Sequence, residues 1–597
     1  MARKPAARAA RESTPSHDYP RMQLRRESWT NLNGKWDFAI DPAAIWTSPR
    51  QVDFDRTINV PFAPETPASG VEETGFFHAV WYRRAFPTPA LADGERLILH
   101  FGAVDHIATV WVNHAVVATH EGGYTPFSAD ITDFLDEDGG QNTIVVRAYD
   151  DPQDLAKPRG KQDWQREPHS IWYHRTTGIW QTVWMEVVPG TRIASLRWTA
   201  CMEQWCFNLA AGIAGPVRGR MRLRVTLRHG DRELVSDEYT ISNREVQRTI
   251  TLPDGGIDDF RNDLLWWPWK ANLIDAEVEL IGEGGAVLDT VRSYTAMRLV
   301  AAEGDRFVLN GRPMLLKMLL DQGYWREGGL TAPSDDALRR DVELVKEMGF
   351  NGVRKHQKIE DPRFLYWADR LGLMVWGEMP SPYRFAPRTV ERLSREWLEA
   401  LERDVSHPCV VAWVPFNESW GVPDLPNVAA QRDFLRGVFY LTKAFDPTRP
   451  VIGNDGWEMV TSDIVAIHDY EREPENLLKR YKQSDKNLAH LFAHERPGHR
   501  QLLLDGLNHQ GRPIMLTEFG GIAFSKEKEA WGYKRAGTAA EFRKQYTDLL
   551  AAVRRLPLFA GFCYTQFTDT YQEANGLLDM DRKPKFPMDQ IRKATDG

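Results

Sequence analysis

The chain has no apolar run long enough to cross a bilayer: its longest, such as the one opening at Cys409, stop far short of the ~18 residues that a span requires. A helical membrane span is excluded, and no membrane partner is expected. Cysteine is scarce, with only Cys201, Cys206, Cys409 and Cys563, too few for a disulfide framework. Cys201 and Cys206 have no second ligand pair at zinc spacing, so all four read as free thiols, and neither a bound metal nor a cofactor is expected. A surplus of positive charge is missing as well. Lys and Arg number 75 against 83 Asp and Glu, a net charge of −8, and the basic residues are scattered rather than gathered into a stripe, which argues against nucleic acid. The opening MARKPAARAARESTPSHDYP is basic but lacks the apolar stretch of a secretory signal. Residues 1–20 therefore read as a disordered tail on a cytoplasmic protein, with a homo-oligomer left open.

What is present is length and tryptophan. At 597 residues the chain has room for three or four domains, and its 22 Trp suit both cores and platforms on which a sugar stacks. Over 21–189 short β-runs such as WDFAI, VWYRRAF, RLILHF and TIVVRAY follow one another with no helical period, the pattern of a jelly-roll sandwich. A second β-rich stretch over 190–298, with MRLRVTL and AEVELI, has the length of an immunoglobulin-like sandwich. From Leu299 buried strands alternate with amphipathic helices, and eight strand candidates open at Met314, Phe350, Leu373, Cys409, Pro450, Asp463, Pro513 and Phe559. Eight such units over 299–597 predict a (β/α)8 TIM barrel. Ser334 is placed to cap a helix whose Leu338, Val342, Val345 and Met348 share one face and which stops at Gly349. The stretch from Glu471 to Arg512 is longer than a crossover needs and predicts a lid or helical excursion.

In such barrels chemistry sits where the strands end. Asp321 closes strand one, Arg354, Lys355 and His356 strand two, Trp376 and Glu378 strand three, Asn417 and Glu418 strand four, His468, Asp469 and Tyr470 strand six, Glu518 strand seven, and Tyr564 and Gln566 strand eight. Glu418 and Glu518 stand apart from the rest because each terminates a buried strand and strands four and seven face one another across a closed barrel. Retaining glycosidases need two carboxyl groups about 5–5.5 Å apart, one ionised to attack the anomeric carbon and one protonated to serve the leaving oxygen. The competing reading, a buried ion pair with a nearby Arg or Lys, explains one such Glu more readily than two on opposed strands. For the others both readings stand: His356 and His468 contact hydroxyls or hold structure, Trp376 and Trp420 stack on sugar or pack under loops, and Glu378 and Asp321 bind hydroxyls or pair with cations.

RDVSHPCVVAWVPFNE, ending at Glu418, and TEFGG from Thr517 resemble the acid/base and nucleophile segments of glycoside hydrolase family 2. AVDHIATVWVNHAVVATHEGGYTPFSADIT and RTTGIWQTVWMEVV are similar to its jelly roll, and LNGRPMLLKMLLDQGYW to its entry into strand one. The resemblance runs from about Arg21 to Lys585. It implies Glu418 as general acid/base, Glu518 as nucleophile, Asn417 on the sugar 2-hydroxyl, Tyr470 against the nucleophile and Arg354 holding that nucleophile ionised. The activity implied is that of a retaining exo-β-glycosidase acting on a carbohydrate substrate.

Departures from the family bear on the sugar. Six residues before Gly178, where relatives carry an Asp that reaches the substrate, stands Trp172. The Asn and Lys that read a glucuronide carboxylate are replaced by Glu573 and Asn575, the strand-eight Trp appears as Tyr564, and RKHQKIEDPRF lacks the usual Ser-His beside His356. Neutral sugars, with β-galactosides foremost, are the expected substrates. The alternatives are β-glucuronidase or β-mannosidase specificity and, from another class, a carbohydrate-binding protein without catalysis.

Overall fold

The computed structural model describes residues 19–136, 140–253, 261–482, 485–526 and 530–597. Of the tail expected over 1–20, residues 1–18 lie outside that description. Tyr19 is buried, its hydroxyl donating to Glu186 Oε1 at 2.6 Å.

The first block is an antiparallel sandwich. One sheet runs in the order Trp29–Asn31, Val183–Pro189, Glu95–Phe101, Phe127–Asp130, and the other has six strands from Arg56–Val60 to Ala115–Glu121. Phe38, Tyr82, Leu99, Val110, Val146 and Val183 fill the space between them. Among the described residues the second block has a three-stranded and a four-stranded sheet, with a short pair formed by Trp266–Trp267 and Lys270–Ala271. In its strand Met221–His229, Met221, Leu223, Val225 and Leu227 are buried while Arg222, Arg224 and Arg228 stay partly exposed, the two-residue alternation of a sheet with one wet face.

The third block is the barrel. Seven parallel strands, Leu316–Asp321, Gly352–Lys355, Met374–Glu378, Val410–Val414, Val465–His468, Ile514–Gly520 and Phe559–Thr565, form one sheet in which the last pairs with the first. The fifth expected strand, PVIGN, is a correction. It makes only the isolated parallel bridges Trp413↔Val451 and Asn417↔Asp455, because Pro450 has no N–H to donate and only Val451 and Ile452 are apolar before Gly453 turns away. That segment bridges strands four and six and carries Asp455 inward. Helix Asp335–Glu347 forms as its sequence predicts: Ser334 accepts from Ala337 N at 3.1 Å, Leu338, Val342 and Val345 are buried, and Gly349 follows at φ +87°. The Glu471–Arg512 excursion contains helices Pro474–Tyr481 and Asp485–His494. No helix among the described residues is long and apolar enough to cross a membrane.

Two anchors brace the barrel, one at each end. Asp369 accepts from His407 Nδ1 at 2.6 Å, from Cys409 N at 2.7 Å and from the Tyr294 hydroxyl at 2.7 Å, so the His-Pro ahead of strand four is tied to both helix Pro362–Leu371 and the middle domain. The jelly roll reaches in through Arg159–Gln162. Arg159 N and Gly160 N each donate to Ser381 O at 3.2 Å. Gly160 sits at φ +58°, where a Cβ would lie 2.3 Å from Gln357 O, so only glycine lets this turn lie against the barrel.

The jelly roll also meets helix Pro387–Asp404, where Glu396 Oε1 accepts from Tyr124 N at 2.7 Å while Oε2 is buried without a partner. Burial pushes the Glu396 carboxyl up from 4.5 to about 8, so the folded state holds its proton where the unfolded chain has lost it. Its stabilising contribution is complete below about 4.5 and is lost as pH rises towards about 8. Thermal unfolding across that window should show wild type losing more stability with rising pH than Glu396→Gln. Equal pH dependence in the two would contradict this reading of the contact.

Candidate active site

Arg354 ends strand two with no exposed surface and is met by three carboxylates: Glu378 Oε2 at 2.8 Å, Asp455 Oδ2 at 3.1 Å and Glu518 Oε1 at 2.9 Å. A guanidinium here must be matched by anions, since an unpaired buried charge costs several kcal/mol. Glu518, at the end of strand seven, also accepts from the Tyr470 hydroxyl at 2.6 Å. Burial alone would raise its carboxyl, but the charges of His468 and Arg354 and the Tyr470 hydrogen bond outweigh it and hold Glu518 below the ordinary range. Tyr470 in turn stacks on Tyr533 and contacts Thr565 Oγ1 at 3.1 Å.

Glu418 lies opposite. It and Ser419 sit at φ +52° and +62°, a left-handed pair that ordinary residues adopt at a cost of roughly 1 kcal/mol or more each. The turn is held by Glu418 N donating to Asp455 O at 2.9 Å, Trp420 N to Asn417 O at 2.9 Å, and Ser419 N to Asn454 Oδ1 at 3.0 Å. His468 Nδ1 lies 2.7 Å from Glu418 Oε1 and its Nε2 3.1 Å from Asp455 Oδ1. Burial opposes charging this imidazole. The Glu518 charge and hydrogen bonds to Asp455 and Glu418 prevail and push it up to about 10, so both ring nitrogens carry hydrogen and donate. Oxygens of Glu418 and Glu518 lie within 4.8 Å of one another. The same atoms with His468 are spaced to hold a cation, as are Asp369, His407 and Cys409 beneath, though the second trio is already tied together by hydrogen bonds.

Asn417 Oδ1 accepts from Arg354 Nη2 at 2.5 Å, leaving its buried Nδ2 without a protein partner. His356 Nδ1 is 3.2 Å from Arg354 Nη2 and 3.1 Å from Glu378 Oε1. Its burial, with the charges of Lys161 and Arg354, keeps the ring far below the ordinary histidine range and neutral. Beside Glu418 opens a cavity of about 470 Å³ lined by Trp164, Trp172, Tyr383, Trp420 and Arg500. Trp172 and Trp420 stack at 5.9 Å and 26°, so the residue replacing the family's Asp stands in the wall of the site.

Three expected substrate contacts are placed elsewhere. Tyr564 is fully buried and faces outward onto Tyr546 of helix Ala539–Arg554, ring centroids 4.9 Å apart; the next residue, Thr565, faces inward to Tyr470. Asp321 is one residue out of phase with Leu320, the register partner of Arg354. It pairs instead with Lys355 at 2.6 Å, whose ammonium lies over Phe364 of helix Pro362–Leu371. Trp376 lies on the inward face two residues deeper than Glu378 and is fully buried, a floor beneath the carboxylates. Sequence reasoning missed Asp455, Tyr533, Thr565 and Lys161. Asp455 was findable as the acid closing the fifth apolar run; the other three carry no local signal.

Residues 300–596 match a family described as "Glycosyl hydrolases family 2, TIM barrel domain", and residues 29–184 match its sugar binding domain. A β-galactosidase of Thermoanaerobacter pseudethanolicus is 26% identical over 566 residues, 91% of this chain and 69% of the relative. A β-glucuronidase of Paenibacillus borealis is 25% identical over 548 residues, 85% of each chain. Among solved structures, Bifidobacterium dentium β-glucuronidase complexed with coumarin-3-O-glucuronide superposes with a TM-score of 0.76 at 21% identity, over 96% of this chain and 98% of that one.

The Tyr470 hydrogen bond makes a separate test of how Glu518 is kept ionised. Tyr470→Phe removes one donor, so the carboxyl rises and the acid limb of the hydrolytic pH profile moves to higher pH, with turnover down roughly 10- to 100-fold. An acid limb that does not move would contradict the assignment.

Proposed function

Because the chain belongs to glycoside hydrolase family 2, a retaining hydrolase of glycosidic bonds, we propose that Glu518 is its nucleophile and Glu418 its general acid/base. The observation that carries this reading is the pairing of the two carboxylates within 4.8 Å. That spacing fits direct attack on the anomeric carbon and leaves too little room for the water an inverting enzyme needs. Glu518, ionised by Arg354 and Tyr470, attacks from one face. His468 fixes Glu418 Oε1, leaving Oε2 to pass a proton to the leaving oxygen.

Once the glycosyl ester forms, the charge on Glu518 is gone and Glu418, now a carboxylate, takes a proton from water attacking the same anomeric carbon. Asn417, with Nδ2 unpartnered, donates to the sugar 2-hydroxyl, and His356 offers its remaining ring nitrogen to a neighbouring hydroxyl. The stacked Trp172 and Trp420 beside Glu418 receive the leaving group.

For the sugar we infer a neutral terminal pyranose, with galactose foremost. Glu573 occupies the place from which relatives read a uronate carboxylate, and a carboxylate there repels another. The uronide reading draws support from the relatives named β-glucuronidase. Kinetics on aryl β-galactoside, β-glucoside, β-mannoside and β-glucuronide at one pH separate the two, and a glucuronide preferred over every neutral sugar would overturn the neutral reading.

Azide tests the two roles. Glu518→Ala should lose several orders of magnitude in turnover and, with azide, yield the α-glycosyl azide by direct displacement. Glu418→Ala should yield the β-azide through the intact nucleophile. The same anomer from both variants would contradict the assignment.

A further inference from the structure

Lys161 is a cation in an unusual position. It is 4% exposed, and its ammonium makes no hydrogen bond or ion pair with any described residue. Its one close partner is the face of Trp420, 5.2 Å from the ring centroid. The turn that carries it is pinned to strands two and three through Gln357 and Ser381, so the jelly roll delivers this charge into the barrel mouth. Its charge acts on His356, which lies 4.0 Å from Glu518 Oε1.

Facing the same space from the loop after strand eight is Glu573, 2% exposed. Its Oε1 accepts from Asn575 Nδ2 at 3.1 Å and its Oε2 from the Tyr173 hydroxyl. Tyr173 also donates its backbone N–H to Lys161 O at 2.8 Å, so one residue joins the lysine's turn to this carboxylate; burial pushes the Glu573 carboxyl up and the Lys161 charge pulls it back down. Lys161 and Glu573, drawn from two domains, thus flank Tyr173 as opposite charges with no direct ion pair between them. Each carboxylate oxygen retains a lone pair, and the ammonium retains all three hydrogens. A buried lysine held apart from its counter-charge is unfavourable in the empty site, and a ligand placed between the two relieves this.

We propose that Lys161 and Glu573 are the specificity-determining pair for the terminal sugar, the ammonium donating to one hydroxyl oxygen and the carboxylate accepting from a neighbouring hydroxyl. This rests on the neutral-pyranose reading above and deepens it. A diol satisfies both charges at once, because a hydroxyl is donor and acceptor. A uronate satisfies Lys161 and is repelled by Glu573. The net charge of the pair, zero, therefore selects a neutral ligand from a site that holds a strong cation.

The test is kinetic and uses the full-length enzyme on aryl β-glycosides of the preferred sugar, on its singly deoxygenated analogues at the 3-, 4- and 6-positions, and on the matching uronide. Lys161→Met should lower kcat/KM on the parent sugar by roughly 10- to 100-fold, the scale of one lost charge-assisted hydrogen bond. That penalty should vanish on one deoxy analogue only, a coupling that loss of packing would not produce. Glu573→Gln, nearly isosteric, should raise the uronide-to-neutral ratio of kcat/KM at least tenfold by removing the repulsion while leaving Lys161 in place. Unchanged kinetics in Lys161→Met on the best substrate, an equal penalty on every analogue, or an unmoved ratio in Glu573→Gln would overturn the pair's role. A wild type that prefers the uronide would overturn the neutral-sugar reading instead, and the two failures are read from different enzymes.

Discussion

The guanidinium of Arg354 organises the barrel mouth. It has no exposed surface, and Glu378 and Glu518 converge on it from strands three and seven and Asp455 from the segment that follows Pro450. Asn417, next to Glu418, bonds to it as well. Strand ends that are far apart in sequence are thereby drawn towards one point, and the convergence has a chemical result. Glu518 shares the guanidinium with two other acids, so it remains a carboxylate while keeping an oxygen, Oε2, whose hydrogen-bond partner among the described residues is the Tyr470 hydroxyl. Replacing one partner of such a cluster leaves an uncompensated buried charge, so the fold and the proposed nucleophile depend on the same atoms. His468 extends the network to the other carboxylate, bonding Asp455 on one side and Glu418 on the other.

The jelly roll does more than flank the barrel. Its Trp172 forms part of the cavity wall beside Glu418, and its Arg159–Gln162 turn lies on the ends of strands two and three. The proposed catalytic groups come from the barrel, whose strand positions are fixed by the sheet. The groups proposed to meet the variable parts of a substrate come from loops, among them loops of another domain. This division lets specificity change without disturbing the Arg354 cluster.

Much of this was legible in the chain. The change of period near Leu299, the helix cap at Ser334, and two glutamates each ending a buried strand follow from local physics, and the fold they predict is the one observed. Two of the misplacements share a cause. A strand presents alternate residues to opposite faces, so a one-residue error in phase exchanges inside for outside: Tyr564 was expected in the site that Thr565 reaches, and Asp321 lies across the strand from Arg354's register partner. Trp376 faces inward but one layer too deep. PVIGN looked like a strand because its apolar residues were counted without the proline and glycine that bound them. Lys161 was invisible for a different reason. Nothing in RGKQD marks a lysine destined for burial, and its position depends on contacts with Gln357 and Ser381, some two hundred residues away.

The central claim is that Glu518, held ionised by Arg354, forms a covalent bond to the sugar. An activated 2-deoxy-2-fluoro β-glycoside slows both steps but the second more, so the glycosyl-enzyme accumulates and can be digested and located by mass spectrometry. The account predicts one glycosyl unit per chain, on the peptide containing Thr517, Glu518 and Phe519. A label on any other residue, or turnover of the reagent with no labelled intermediate, would contradict it.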